Sequence, residues 1–388
     1  MVVTILGSGL MGSEIAIDIL ANKKIKELIV VDSSTSKLEE LKKRAKQRLP
    51  DSLSSKLSII RYDIIANREE LIKVLKRSEV AIGALPHSIA EVAINYAIEA
   101  ATDYVDLIYS WRTSESYTDI DKSAKDKEIT IIPACGLAPG LSNIIAKRAV
   151  DDVGGEADRL TIYVGGIPER PEPPLEYKIV FSPDSLLEEY TRDAVVVRNS
   201  KVSLLPALSE IEEVTFSSVN DKFEAFITDG LSTLPKTVKA YNMTEKTVRW
   251  PGHAEKILML SFLGLLSEEK VVIDNKCKVS PRSILSRLLA ARLAMKANDK
   301  DMTLLKVVAI RGAEQSVYEM VDRYDSSKAI TSMARTTGYP CSTVAQFLLE
   351  GKIERKGFLP PEEALSSDIF QDFIFALKKK GIIIRKIM

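Results

Sequence analysis

The sequence predicts an α/β fold: a doubly wound parallel sheet with an inserted α+β second domain. Three observations predict it. From Met1 to about Pro133, short apolar runs alternate with helical patterns, which demands a parallel sheet covered on both faces. A glycine-rich turn, Gly7-Ser8-Gly9-Leu10-Met11-Gly12, joins the first apolar run to the first helical pattern. After Gly136 the rhythm changes to Thr-, Val- and Tyr-rich runs divided by turn residues, the pattern of an antiparallel or mixed sheet.

The first strand is residues 2–6. The glycine turn follows at once, then a helix marked by Ile15, Ile19 and Leu20, then a strand at 28–31 closed by Asp32. This is the Rossmann dinucleotide fingerprint in its structural context. Gly7 permits the tight turn, Gly9 lets the backbone approach a pyrophosphate, and Gly12 lets helix and strand pack closely. Ser8, Leu10 and Met11 fill the loop whose free N–H groups would hold the phosphates. Asp32 lies 20 residues after Gly12, where a carboxylate accepts from the adenosine ribose hydroxyls and repels a 2′-phosphate. NAD is therefore expected rather than NADP, with Ser33 beside Asp32 in the same pocket.

Further strands are expected at 57–62, 80–84, 104–107 and 129–132, with helices at 35–47, 68–76, 88–101 and 119–127. Ligands of such sheets bind beyond the carboxyl ends of the strands. Gly7, Asp32, Asp63, the turn Ala84-Leu85-Pro86, and Asp106 all fall there. The second half offers strands at 160–164, 178–181, 194–198, 214–217 and 223–228, completed by 271–273 and 304–310. Helices are expected at 257–266, 281–295, 327–350 and 370–380. The expected domains are 1–133 for the dinucleotide, 134–326 for substrate and dimerisation, and 327–388 as C-terminal helices returning to the first domain.

Composition narrows the function classes. With 388 residues the chain suits two or three domains. Lys+Arg and Asp+Glu are equal at 54 each, so no overall field recruits nucleic acid or an anionic membrane. No apolar run is long enough to span a bilayer. The chain enters a strand at once, which leaves no room for a signal peptide. Cys135, Cys277 and Cys341 are scattered, without CxxC or metal spacing. Reduced thiols, a cytoplasmic setting and no metal are the expectation.

Several residues can carry chemistry. Asp106 ends an apolar strand, where a carboxylate costs free energy unless paired. It either holds a substrate ammonium or pairs with a neighbour such as Arg112. Tyr109 follows it. The loop from Cys135 to Asn143 is either a ligand cradle or ordinary helix-start chemistry. In the second domain, residues 228–234 and 249–253 form the densest polar group. Arg249 can take a carboxylate bidentately, His253 can relay a proton, and Asp229 can orient either. The alternative is an Arg–Asp bridge with a capping His.

At these residues the chain resembles the saccharopine dehydrogenase-like family. The likeness runs through the fingerprint, Cys135 to Asn143, Gly165-Gly166-Ile167-Pro168, Pro173 to Lys178, residues 228–234 and 249–253, and Met333 to Pro340. The resemblance implies a dehydrogenase acting on CH–NH2 groups, nearest the branch that deaminates the ε-amine of L-lysine with NAD. It also implies roles: Arg249 with Thr233 for the substrate carboxylate, Asp106 and Asp229 for ammonium groups. His253 would be the proton relay, with Tyr109 as a second candidate. A homodimer acting on a small amino acid is the expectation. The rivals are a saccharopine reductase-type enzyme, which needs glutamate and NADPH, and a nucleotide-sensing regulator without catalysis.

Overall fold

The structure, a computed structural model, describes residues 1–108, 114–180, 183–274, 277–296, 298–365 and 367–388. It divides into two compact units: residues 1–145 with 334–382, and residues 146–333 with 383–388.

The first unit begins β1 (Val2–Leu6), α1 (Leu10–Ala21), β2 (Glu27–Asp32), α2 (Thr35–Arg48), α3 (Asp51–Ser54), β3 (Leu57–Arg61) and α4 (Arg68–Leu75). It continues β4 (Val80–Gly83), α5 (His87–Ala100), β5 (Asp103–Asp106), α6 (Ser114–Asp126) and β6 (Thr130–Ile132). α7 (Leu141–Asp152) leads out of it.

The second unit holds β7 (Ala157–Pro168), α8 (Pro183–Glu189), β8 (Ala194–Arg198), β9 (Lys201–Leu205), β10 (Glu212–Phe216) and β11 (Val219–Ile227). Then come α9 (Leu234–Thr237), β12 (Ala240–Arg249), α10 (His253–Phe262), β13 (Val271–Asp274) and β14 (Cys277–Val279). α11 (Pro281–Arg292), β15 (Asp301–Arg311) and β16 (Glu314–Arg323) close it. The chain ends with α12 (Ser332–Leu349), β17 (Gly357–Phe358), α13 (Pro361–Ala364), α14 (Ser367–Lys379) and β18 (Arg385–Lys386).

The first sheet has the order β17-β6-β5-β4-β1-β2-β3, with every pairing parallel. The strand order reverses between β1 and β4, the switch point at which such sheets bind ligands. In register, Leu6 stands beside both Val31 and Gly83, and Gly83 beside Asp106. The ends carrying Gly7, Asp32, Ala84 and Asp106 therefore lie along one edge. Leu6, Ile29, Val31, Ala81, Tyr104 and Ile131 are buried in one core cluster, which is why these strands read as continuous apolar runs. α12 packs on α1, where a Cβ at Gly338 would lie 3.3 Å from Ile15.

The second sheet is nine-stranded and mixed, with β12, β7 and β15 at its centre. Two expected strands are corrected. Of the strand expected at 178–181, Phe181 lies outside the described residues and residues 178–180 form no strand: Ile179 makes a single bridge to Ala294, and Lys178 is taken up by ion pairs to Glu172 and Asp299. Residues 271–273 do not complete the large sheet. β13 pairs with β14 in a separate two-stranded ribbon, because the strand that follows it directly in the chain supplies its partner. The helix expected from 327 starts at Ser332, since Asp325 accepts from Ser327 and Lys328 N–H groups and folds that stretch into a turn. No helix among the described residues is long and apolar enough to cross a membrane.

Candidate active site

In the first unit the glycines have separate reasons. Gly7 sits at φ +100°, and a Cβ there would meet the Ala84 carbonyl. A Cβ at Gly12 would fall 2.9 Å from the Gly7 carbonyl carbon and 3.2 Å from the Ala84 Cβ. Gly9 has nothing within 4 Å of its would-be Cβ, so its bareness serves the approach of a ligand rather than packing. α1 starts at Gly9 with no side-chain cap, which leaves its first-turn N–H groups for an anion. Leu10 is exposed and Met11 half-buried on that turn. These residues fit a dinucleotide pyrophosphate. Gly12→Ala is expected to lower stability by about 1–3 kcal/mol through overpacking. Gly9→Ala is expected to keep the fold and weaken binding alone; thermal unfolding with and without NAD separates the two.

Asp32 is fixed at the end of β2. Its Oδ2 accepts from the Ser8 N–H at 2.7 Å and the Ser8 hydroxyl at 2.9 Å, and its Oδ1 from the Ser34 N–H at 2.8 Å. The glycine loop and the acidic position thus hold one another. The Ser33 carbonyl accepts from Arg61 Nε at 3.3 Å. Asp63 is exposed and caps its own turn, accepting from Ile65 and Ala66 N–H groups at 2.9 Å. The Ala84 N–H donates to Leu6, Leu85 is buried, and Pro86 precedes α5.

Asp106 is fully buried. It accepts from the Tyr104 hydroxyl and the Ile108 N–H, each at 2.7 Å. Burial nevertheless pushes its carboxyl up to about 7, against these hydrogen bonds, which lower it. The Asp106 carbonyl accepts from the Cys135 N–H at 2.7 Å, tying in the loop that follows β6. In that loop Asn143 Oδ1 accepts from the Gly140 N–H at 3.2 Å and the Ser142 hydroxyl at 3.0 Å. Burial raises the Cys135 thiol well above its ordinary value, so it stays protonated. Tyr109 and Arg112 lie outside the described residues.

In the second unit, Arg249 and His253 come together, around partners the sequence did not suggest. Arg249 is 2% exposed. Its Nη2 donates to both Glu189 oxygens at 3.0 and 3.1 Å, Nη1 to the Val248 carbonyl at 3.0 Å, and Nε to the Tyr190 hydroxyl at 3.3 Å. Its guanidinium carbon lies 4.7 Å from the Tyr177 ring centre. The carboxylate expected from a substrate is thus met by one from the chain itself. His253 is equally committed. Nδ1 lies 2.7 Å from the Leu175 carbonyl, so it carries the proton, and Nε2 accepts from the Tyr190 hydroxyl at 2.8 Å. Burial first, and then Arg249, lower its pKa to about 3. It remains neutral through the physiological range and holds Tyr190 in place.

Asp229 faces Arg192, with Nε to Oδ2 at 2.8 Å, and accepts from the Val195 N–H at 3.2 Å. Thr233 is buried, and its carbonyl accepts from the Lys236 N–H at the start of α9. Glu189, Tyr190, Tyr177 and Glu245 were not singled out in the sequence. Glu245, Thr247 and Arg249 alternate along β12, all buried. That polar row on one face of a central strand is a signal for Glu245 alone; Glu189, Tyr190 and Tyr177 lie outside β12.

Residues 3–132 match the family described as Saccharopine dehydrogenase NADP binding domain, and residues 136–382 match Saccharopine dehydrogenase C-terminal domain. Alpha-aminoadipic semialdehyde synthase, mitochondrial, from Bos taurus is 22% identical over 455 residues, 98% of this chain and 47% of that protein. The chain therefore spans about half the length of the first relatives it matches. Saccharopine dehydrogenase [NADP(+), L-glutamate-forming] from Saccharomyces cerevisiae is 23% identical over 395 residues, 83% of this chain and 87% of that protein. In fold the chain is similar to apo saccharopine dehydrogenase (L-Glu forming) from Saccharomyces cerevisiae, with TM-score 0.79 at 20% identity and 100% of both chains covered. With both of its halves matched, this chain belongs to the saccharopine dehydrogenase family.

Proposed function

We propose that this protein is an NAD-dependent dehydrogenase that deaminates the ε-amine of L-lysine to the 6-semialdehyde, which cyclises to a piperideine carboxylate. The observation that carries lysine over saccharopine is charge balance in the second unit. Arg249 and Arg192 are matched by Glu189 and Asp229, and Glu245 adds a further acid. Within this group no guanidinium is left over for the two extra carboxylates of a glutamate moiety. An amine substrate suits it better than a polycarboxylate. The Asp32 carboxylate supports NAD, although the family description and the yeast relative's name carry NADP.

The residues that would hold the dinucleotide are Gly7, Gly9 and Gly12 with the α1 N-terminus, and Asp32 for the ribose. Bound there, it supplies a hydride acceptor. The protein must supply a neutral amine, because a protonated nitrogen has no lone pair to push. Asp106, raised to about 7 by burial, suits that proton transfer. His253 is assigned to holding Tyr190, and Arg249 to holding Glu189. Glu189 and Asp229 are each taken by an arginine of the chain, and the Thr233 carbonyl is taken by the first turn of α9.

The test is NAD reduction with L-lysine alone at mildly alkaline pH. Robust turnover without glutamate is the expected result, and Asp32→Ala is expected to raise KM for NAD by about tenfold or more, the loss of one charge-assisted hydrogen bond. Turnover only in reverse, with semialdehyde, glutamate and NADPH, would overturn the lysine reading in favour of a saccharopine reductase.

A further inference from the structure

The second unit carries an apolar surface that the reaction above does not use. α10 buries His253, Ala254 and Ile257 on one arc. At 100° per residue the opposite arc holds Leu258, Met259, Phe262 and Leu263, all of them exposed. α11 buries no residue at all. Its Leu285 and Leu289 half-cover a core cluster, while Ile284 and Leu288, one turn apart, stand exposed. A surface helix is expected to turn polar residues outward; these two turn apolar ones outward instead.

Between these helices in the chain, β13 and β14 form a ribbon that pairs with no other strand among the described residues. Two strands this short are not stable in water unless something packs on them. Successive residues of a strand point to opposite faces. Val271, Val272 and Ile273 are each more than half exposed, so both faces of the ribbon are bare. Val271 and Ile273 meet Leu263, Ile284, Leu285 and Leu288 around an open groove of about 620 Å³. Single exposed leucines need no explanation. The outward side chains of α10 and α11, with Val271 and Ile273, together expose on the order of 800 Å², more than the largest apolar patch of an ordinary monomer. Each partner in a stable dimer buries about 800 Å², so this face alone supplies the area one needs.

We propose that a second copy of this chain docks on the face formed by α10, the ribbon and α11, as a two-fold dimer with Phe262 of each copy seated in the groove of the other. Shape selects a second copy over a different partner. Phe262 is 93% exposed and directly precedes Leu263, which lines the groove. A two-fold contact uses the same patch on both copies, so a surface that holds a projecting ring beside an apolar groove fits itself twice over. Charge points the same way. The charged side chains lining the groove are Glu269 and Lys270, one of each sign, and neither forms an ion pair among the described residues. Together they attract neither nucleic acid nor an anionic membrane, and a two-fold axis can set each acid toward the partner's base. The ribbon gains the cover it lacks, and an aromatic ring in a water-free pocket gives the contact its centre. All of these residues belong to the second unit.

Sedimentation of the full chain over a wide concentration range reads the assembly. At micromolar concentration the wild type is expected at twice the 43.0 kDa chain mass, with a melting temperature that rises with concentration. Phe262→Asp and Leu288→Asp are each expected to weaken the dimer by about 30-fold or more, the mark of a residue at the centre of an interface, and to flatten that rise. Both side chains are more than half exposed, so the single chain is expected to fold in each variant, as circular dichroism reports. Should Leu288→Asp fail to fold, Phe262→Asp carries the test. Leu204→Asp, at an exposed position of β9 in the large sheet, is expected to leave the dimer intact. A larger assembly that Phe262→Asp splits supports the contact as one of its interfaces. A monomer at every concentration overturns the proposal, as does a dimer that survives both variants of the groove face. Loss of the dimer in Leu204→Asp alone overturns it in favour of the large sheet. A monomeric wild type that floats with phosphatidylcholine vesicles, where Phe262→Asp does not, overturns it in favour of a lipid surface.

Discussion

Arg249→Met is expected to destabilise the protein by about 3–5 kcal/mol, the cost of breaking a buried ion pair by removing one partner. The guanidinium is the hub of the second unit's polar group, with Glu189, Tyr190, the Val248 carbonyl and the Tyr177 ring all against it. Methionine fills part of the volume but strips Glu189 of its two donors, leaving a carboxylate 19% exposed without a counter-charge. Urea unfolding reads the effect as a lower midpoint at unchanged slope. The double variant Arg249→Met with Glu189→Leu separates causes. It removes the stranded charge, so it is expected to recover part of the loss, a coupling of about 1–3 kcal/mol in a double-mutant cycle. If the single variant were neutral, Arg249 would be free of Glu189 in solution and open to a substrate carboxylate after all. The same measurement therefore decides between a guanidinium that holds the chain and one that holds the substrate.

That ambiguity shows where sequence reasoning stops. Arg249 announces a carboxylate partner, but its partner is 60 positions away at the end of a seven-residue helix, and no local pattern links the two. His253 looks titratable in the sequence because nothing there records that it is 1% exposed with both ring nitrogens engaged. The parallel half of the fold was legible for the opposite reason. Its strands are buried on both faces and its site residues sit at strand ends, so one-dimensional spacing is enough to place Gly7, Asp32, Ala84 and Asp106 on one edge. In the second unit an apolar run of strand type does not say which partner it takes. Residues 271–273 pair with β14 rather than with the large sheet, and residues 178–180, which follow a proline-rich stretch, form no strand. Glu245 was within reach. Its alternation with Thr247 and Arg249 along a strand of buried residues marks a polar row that must be internally satisfied.

Asp106→Asn is expected to cut turnover by about 10²–10⁴-fold while making the folded protein more stable at alkaline pH. The two effects share one cause. Burial raises the carboxyl from 3.8 to about 7, so the folded state binds this proton more tightly than the unfolded chain does. The group's contribution to stability is therefore fully present below about pH 4 and is lost as pH climbs to about 7. At 1.36 kcal/mol per pKa unit the loss is on the order of 4 kcal/mol. Asparagine keeps an acceptor for the Ile108 N–H and a partner for the Tyr104 hydroxyl, but has no proton to exchange and no charge to desolvate. The stability difference between variant and wild type is thus expected to be small at pH 4 and to widen in the variant's favour by pH 8, read by thermal unfolding at both. Dinucleotide affinity is expected to hold, since Asp32 and the glycine loop are untouched. A variant that loses stability equally at both pH values would mean that Asp106 is anchored as a structural acceptor. A variant that gains stability only at high pH and turns over no lysine would identify a carboxylate kept at a cost for the proton it moves.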